Sequence, residues 1–229
     1  MPDSAAFRHE PSRDIDASSR TAARPAESGV RQPLLYLASA SPRRRELLTQ
    51  IGVAHEVLRV PAPAGEDEPQ WPGEPAHVYV RRTAREKAER AQDWIANQHL
   101  CVLPLLAADT AVILDGEVLG KPLDRDDALR ILTALSGREH EVHTAVVLGH
   151  GGQLHEAVSV TQVRLRALSF EEIDRYLDSG EPWGKAGAYG IQGLAGSFVE
   201  RIAGSYTGVM GLPLFETAQL LRAADIFRP

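Results

Sequence analysis

Cysteine is nearly absent. Cys101 stands alone, so no internal disulfide can form, and its place in the apolar run CVLPLLAA leads us to expect a small buried hydrophobe, not a nucleophile. No stretch approaches 18 consecutive apolar residues, and the N-terminus lacks the apolar core of a signal peptide. Neither a spanning helix nor export is indicated, and the expectation is a cytoplasmic protein with no membrane partner. An excess of positive charge is also missing. A formal net charge of -6 argues against a general nucleic-acid binder, which needs a broad basic surface to meet phosphates. The eight histidines are scattered and no Cys/His metal spacing occurs. GEVLGKP has neither the glycine spacing nor the Ser/Thr of a P-loop. The glycines of KAGAYGIQGLAG precede an expected strand, where a dinucleotide fingerprint would precede a helix. No internal repeat is present.

What is there is ordinary globular composition, 43% hydrophobic and 24% charged over 229 residues, enough for one sizeable core or two small ones. Residues 1–32 are rich in Ser, Ala, Arg, Pro and Asp without a helical or strand period. Such a segment cannot bury enough surface to offset its ordering entropy, so a disordered N-terminal extension is expected, with the folded domain over 33–229. Five acidic residues, Asp3, Glu10, Asp14, Asp16 and Glu27, spoil a transit-peptide pattern.

From Leu34 element types alternate. A short strand leads into a helix from Pro42 to about Ile51, VAHEVLRV reads as a strand, and a long Pro/Gly/acid loop precedes a helix over about 75–97. CVLPLLAADTAVIL and EVLGKP form a hairpin about Asp115-Gly116. Asp124 caps a helix through Leu135. EVHTAVVLGH and HEAVSVTQVRLRAL form a second hairpin about Gly151-Gly152. Ser169 to Glu172 is a capping box opening a helix to about Asp178. A strand around SFVERIAG, a loop GSYTGVMGLP and a helix from Leu214 to about Ala224 finish the chain. Hairpins and crossovers together predict an α/β layered fold with a mixed sheet.

Three arginines, Arg43, Arg44 and Arg45, crowd the first turn of the helix that Ser41 and Pro42 open. That end of a helix favours carboxylates and disfavours cations by about 0.3 to 1 kcal/mol each. A bound di- or triphosphate would reverse the sign, resting on helix N–H groups, the Ser39 or Ser41 hydroxyls and guanidinium forks. Pairing of the arginines with acidic residues of the long loop is the other reading. Asp109 and Thr110 are polar inside VLPLLAADTAVIL, where a carboxylate must be paired, hold a metal, or cap a local irregularity. Glu66, Asp67 and Glu68 of the loop would add oxygen ligands for Mg²⁺ or simply form a solvated surface. Lys121 would meet a phosphate as a point charge or be an unremarkable hairpin-end lysine. The glycines at 187, 190, 193 and 196 permit close backbone approach to a ligand, and Gln192 offers a donor and an acceptor to a base edge.

Taken in order, SASPRRRELL, AREKA, AADTAVILDGEVLGKP, LSGREHEVHTAV, KAGAYGIQG and GSYTGVMGLPL resemble the Maf-like nucleoside triphosphate pyrophosphatases, over about Leu34 to Leu221. The resemblance implies a mixed twisted sheet with helices on both sides, an elongated two-lobed fold around a central cleft like that of the inosine-triphosphate pyrophosphatases, and a homodimer. It implies hydrolysis of a nucleotide between the α and β phosphates with a divalent cation, Mg²⁺ or Mn²⁺. By position, Asp109 matches the proton acceptor and, with Glu68, the metal site. Arg43, Thr110 and Gln192 match substrate-selecting positions, and Ser39, Ser41, Arg43, Arg44, Lys87, Lys121 and Lys185 fall near phosphates. KAGAYGIQG resembles the branch acting on dTTP and UTP. The alternatives are the same chemistry on 7-methyl-GTP or other purine nucleotides, or a nucleotide-binding regulator of cell division with incidental turnover. Gly184 departs from the family, which often carries Asp before the lysine.

Overall fold

The computed structural model of the protein describes residues 32–61 and 68–228. The expected N-terminal extension, up to residue 31, and Glu66 and Asp67 of the acidic loop lie outside the described residues. In chain order the elements are β1 (Leu35–Leu37), α1 (Pro42–Gln50), β2 (His55–Val57), α2 (Ala76–Asn97), β3 (Leu105–Leu114), β4 (Glu117–Leu119), α3 (Arg125–Leu135), β5 (Glu139–His150), β6 (Gln153–Leu165), α4 (Phe170–Asp178), β7 (Val199–Ala203), α5 (Tyr206–Met210) and α6 (Leu214–Ala223). The strands form one mixed seven-stranded sheet in the order β2-β1-β3-β5-β6-β7, with β4 also paired to β3. β1 runs parallel to β2 and β3, and every other pairing is antiparallel. The expected mixed α/β fold is therefore the observed one.

β3 is central because its sequence is apolar on both faces. Leu105, Ala107, Ala111 and Ile113 pack with Val80, Ala84, Ala88 and Ala91 of α2. The small side chains on both partners let this helix lie close to the sheet. The opposite face divides in two. Leu106 and Ala108 pack with Leu47 and Leu48 of α1 and Leu221 of α6, whereas Val112 and Leu114 pack with Ile131, Leu132 and Leu135 of α3 and Leu177 of α4. Helices thus cover both faces of the sheet. None among the described residues is long and apolar enough to cross a membrane.

Local signals are met where a side chain closes a ring with its own backbone. Asp124 Oδ1 accepts from Asp127 N at 2.8 Å, and the Ser169/Glu172 capping box is complete. Asp115 and Gly116 take φ of 53° and 86° in the first hairpin turn, and Gly151 and Gly152 take 59° and 77° in the second.

Other expectations need correction. Cys101 is exposed, and Val102 is 93% exposed. Pro104 has no N–H to donate to a ladder, so β3 begins after it; its carbonyl still accepts from Tyr36 N at 2.8 Å, and the three residues from Cys101 precede the sheet. β2 holds only three residues of VAHEVLRV. GSYTGVMGLP is not all loop, since Ser205 accepts from Gly208 N and caps the short α5, which Gly211 ends at φ 111°. KAGAYGIQGLAG contains a 3₁₀ turn, Ala186–Ala188, and a second, Leu194–Phe198, begins in it and runs into SFVERIAG.

Candidate active site

One edge of β3 is occupied by β5 along nearly its whole length. Its other edge meets β1 only at Leu105 and Leu106 and β4 only from Val112 onward. Between those points, among the described residues, the edge of Ala107 to Ala111 has no strand beside it. A cleft of about 660 Å³ opens at this interruption. That is why Asp109 and Thr110, consecutive residues on opposite faces, both border the same space.

Ser41 occupies the N-cap of α1 and Pro42 its first turn, as the sequence predicts, but the Ser41 hydroxyl does not cap the helix. Instead Ser41 N donates to Ser39 Oγ at 3.2 Å. Arg44 turns inward and donates to Gly211 O at 2.7 Å, Ser39 Oγ at 3.2 Å and Thr110 Oγ1 at 3.3 Å. Arg43 donates to Met210 O at 3.3 Å. Neutral oxygens, not carboxylates, are thus their hydrogen-bond partners among the described residues. Arg45 differs: about 100° further round the helix, it is exposed and away from the cleft. The three arginines do not act as one anion site, and only Arg43 and Arg44 face it.

From the α2 face, Thr83 Oγ1 donates to Asp109 Oδ2 at 2.7 Å and Lys87 Nζ to Asp109 Oδ1 at 2.6 Å. The same Nζ is 2.5 Å from Glu68 Oε1. Asp109 is 6% exposed. Burial alone would raise its pKa, but the charge and hydrogen bond of Lys87, the charge of Arg44 and the Thr83 hydroxyl together hold it below the usual carboxylate range. On the other face, Thr110 Oγ1 lies 3.0 Å from Thr144 Oγ1, which donates to Gly208 O at 2.8 Å.

Lys121 follows β4 and Lys185 lies in the glycine-rich segment, and both line the cleft. Burial and the nearby Arg43 lower the pKa of Lys185. Burial is likewise the main cause of the lowered pKa values of Arg43 and Arg44, with Arg43 adding to the effect on Arg44. Tyr189, Gly190 and Gln192 form another wall. Tyr189 Oη is 2.8 Å from His140 Nε2, and burial lowers the pKa of His140 to about 4, leaving the ring neutral at pH 7. Gly187 has φ 68°, and a Cβ there would meet Val112 Cγ2 at 2.8 Å, so only glycine lets this segment approach β3. Gly184, at φ 70°, has open space around the place of its missing Cβ.

All ten residues expected at the phosphate, specificity and catalytic positions, from Ser39 to Gln192, line this cleft. Glu68 joins through Lys87. Three residues escaped the sequence reading. Arg59 and Arg90 add positive charge to the walls, and Thr83 bonds the carboxylate. Arg90 and Thr83 were detectable from helical spacing, because 83, 87 and 90 share a face. No comparable signal marks Arg59. Among the described residues, Asp109 is the lone carboxylate lining a cleft with seven basic side chains, Arg43, Arg44, Arg59, Lys87, Arg90, Lys121 and Lys185.

The family described as Maf-like protein matches residues 34–224. A Bordetella parapertussis protein named dTTP/UTP pyrophosphatase is 74% identical over 197 residues, 86% of this chain and 95% of its own. A Bordetella avium protein of that name is 71% identical, covering 86% and 98%. One from Burkholderia orbicola is 54% identical, covering 85% and 94%. With the family match spanning the whole sheet and every residue of the cleft, the chain belongs to the Maf-like protein family.

Proposed function

We infer that the protein hydrolyses dTTP and UTP, and modified pyrimidine nucleotides of the same shape, to the nucleoside monophosphate and pyrophosphate. The observation that carries this reading is a buried, ionised Asp109 in a cleft whose other charged lining residues are cations. The names of the relatives at 54–74% identity support the substrate.

A triphosphate chain satisfies what the cleft lacks. Among the described residues, no carboxylate is hydrogen-bonded to Arg43, Arg44, Lys121 or Lys185, all of which face the space, and an anion at the start of α1 gains from the helix N-terminus. Water attacks the α phosphorus, its proton passes to Asp109, and the bond from the α phosphorus to the bridging oxygen breaks. Pyrophosphate leaves with its negative charge met by the arginines and lysines. Held by Lys87, Asp109 is a weak base. A bound phosphate competes for that ammonium, and as Lys87 turns toward it, one of the charges that depress the Asp109 pKa is withdrawn. Thr83 keeps the carboxylate oriented meanwhile.

A divalent cation fits these residues. Asp109 and Glu68 direct oxygens at one point, now taken by the Lys87 ammonium, and Mg²⁺ usually needs only one or two carboxylates beside phosphates and waters. Asp109 and Glu68 would hold Mg²⁺ or Mn²⁺, which would supply charge neutralisation on phosphate and acidify water.

Arg43, Thr110 and Gln192 are the substrate-selecting residues in this reading, Gln192 offering both a donor and an acceptor to a base edge. The family resemblance supports a homodimer that takes a nucleotide, and the net charge of -6 disfavours nucleic acid as a partner. Incubating the purified protein with a panel of nucleoside triphosphates and Mg²⁺ tests the proposal. Pyrophosphate release from dTTP and UTP well ahead of purine nucleotides is the expected result, and tight binding without release would favour a regulatory role.

A further inference from the structure

We propose that Arg82 is a positioning residue, clamping the turn of residues 68–75 onto α2 so that the Glu68 carboxylate is held beside Asp109. The inference rests on the reading of Glu68 as a metal ligand and goes beyond it. A guanidinium has five N–H donors, and here each has a partner. Nε donates to Glu74 Oε1 at 2.7 Å, and Nη2 to Glu74 Oε2 at 2.8 Å and Pro69 O at 2.9 Å. Nη1 donates to both Glu86 oxygens, at 3.0 and 3.1 Å. The guanidinium carbon also lies 4.1 Å from the centroid of the Trp71 ring.

Apart from Arg82, the turn closes on itself through Gln70 Nε2 to Glu74 O and Glu74 N to Trp71 O, both at 2.9 Å, and its first residue, Glu68, meets the Lys87 ammonium at 2.5 Å. Trp71 is its only large apolar side chain and is 55% exposed, so burial contributes little. Trp71 N donates to Glu74 Oε2 at 3.2 Å, tying the turn to the carboxylate that Arg82 grips, and Tyr79 Oη, from the same helix, donates to Glu68 O at 3.2 Å. Arg82 points to the turn from the residue before Thr83 and five before Lys87. One helix therefore sets both the group that orients Asp109 and the clamp that places Glu68. A lysine would keep the charge but lose the planar fork that grips Glu74 and Glu86 together.

The test reads metal binding, not turnover. Mn²⁺ is titrated into the full chain with α,β-imido-dTTP, and bound Mn²⁺ is followed by electron paramagnetic resonance, for wild type, Arg82→Lys, Glu74→Gln, Glu68→Gln and the Arg82→Lys/Glu68→Gln double variant. Loss of an outer partner of a metal ligand typically weakens metal about 10 to 100-fold. We expect Arg82→Lys and Glu74→Gln to weaken Mn²⁺ about tenfold or more, and the double variant to match Glu68→Gln within about twofold. Wild-type Mn²⁺ affinity in both Arg82→Lys and Glu74→Gln, with Glu68→Gln impaired, would overturn the clamp alone. So would a double variant much weaker than Glu68→Gln, since Arg82 would then act elsewhere. Unchanged affinity in Glu68→Gln would instead remove Glu68 from the metal site, and the clamp's purpose with it.

Discussion

Lys87 Nζ lies 2.6 Å from Asp109 Oδ1, and this pair decides the charge at the centre of the cleft. Asp109 is almost wholly buried, and burial acts against its ionisation; the lysine, with Arg44 and Thr83, outweighs it. In the wild type the depressed pKa adds stability that is complete above the unfolded value of about 3.9 and is lost only as pH falls through the lower folded value. Stability from this group is therefore flat between pH 5 and pH 8. In Lys87→Met, burial is opposed less and the Asp109 pKa rises. The variant should lose about 3 kcal/mol at pH 7.5, as when one partner of a buried pair is removed, and recover part of it at pH 5. Urea unfolding at the two pH values checks this; equal losses at both would show that Lys87 does not control Asp109.

Asp109→Asn keeps the shape of the side chain but cannot accept a proton. Turnover should fall about 10² to 10⁴-fold, the usual range for a general base, with KM for dTTP changed little. Steady-state assays separate the two parameters, and a near-normal kcat would remove Asp109 from proton transfer.

Arg43 and Arg45 stand two residues apart with different surroundings. Arg43→Ala should lower kcat/KM for dTTP about tenfold or more, the worth of a hydrogen bond to a charged group, while Arg45→Ala should stay within about twofold of wild type. Comparable losses in both would mean that the first turn of α1 acts through general positive charge.

Cys101 is accessible, contrary to what its apolar neighbours suggest. The folded protein should therefore titrate one thiol with an aromatic disulfide reagent without denaturant, and Cys101→Ser should change stability by less than about 0.5 kcal/mol. A thiol that reacts only after unfolding would contradict its placement.

Elements with closed local rings were legible in the sequence: the Asp124 cap, the Ser169 capping box and the Asp115-Gly116 turn are each decided by residues within a few positions. The near-continuous apolar run of β3 also announced a strand. Its start was misplaced, because hydrophobicity alone does not reveal that Pro104 has no N–H to donate to a ladder. The cleft residues were individually visible, through polar breaks in apolar runs and through the resemblance. Their common location was not, because it depends on β1 stopping at Leu37 and the antiparallel β4 ending at Leu119, opposite Val112, which leaves the middle of β3 uncovered. Arg59 has no motif at all, and only the path of the chain after β2 brings it to the cleft.

Hydrolysis of dTTP with Mg²⁺ in ¹⁸O-water, followed by ³¹P NMR and mass analysis, tests the central claim most directly. Attack at the α phosphorus predicts label in the monophosphate and none in pyrophosphate. Label in pyrophosphate, or release of orthophosphate with the diphosphate left behind, would contradict it.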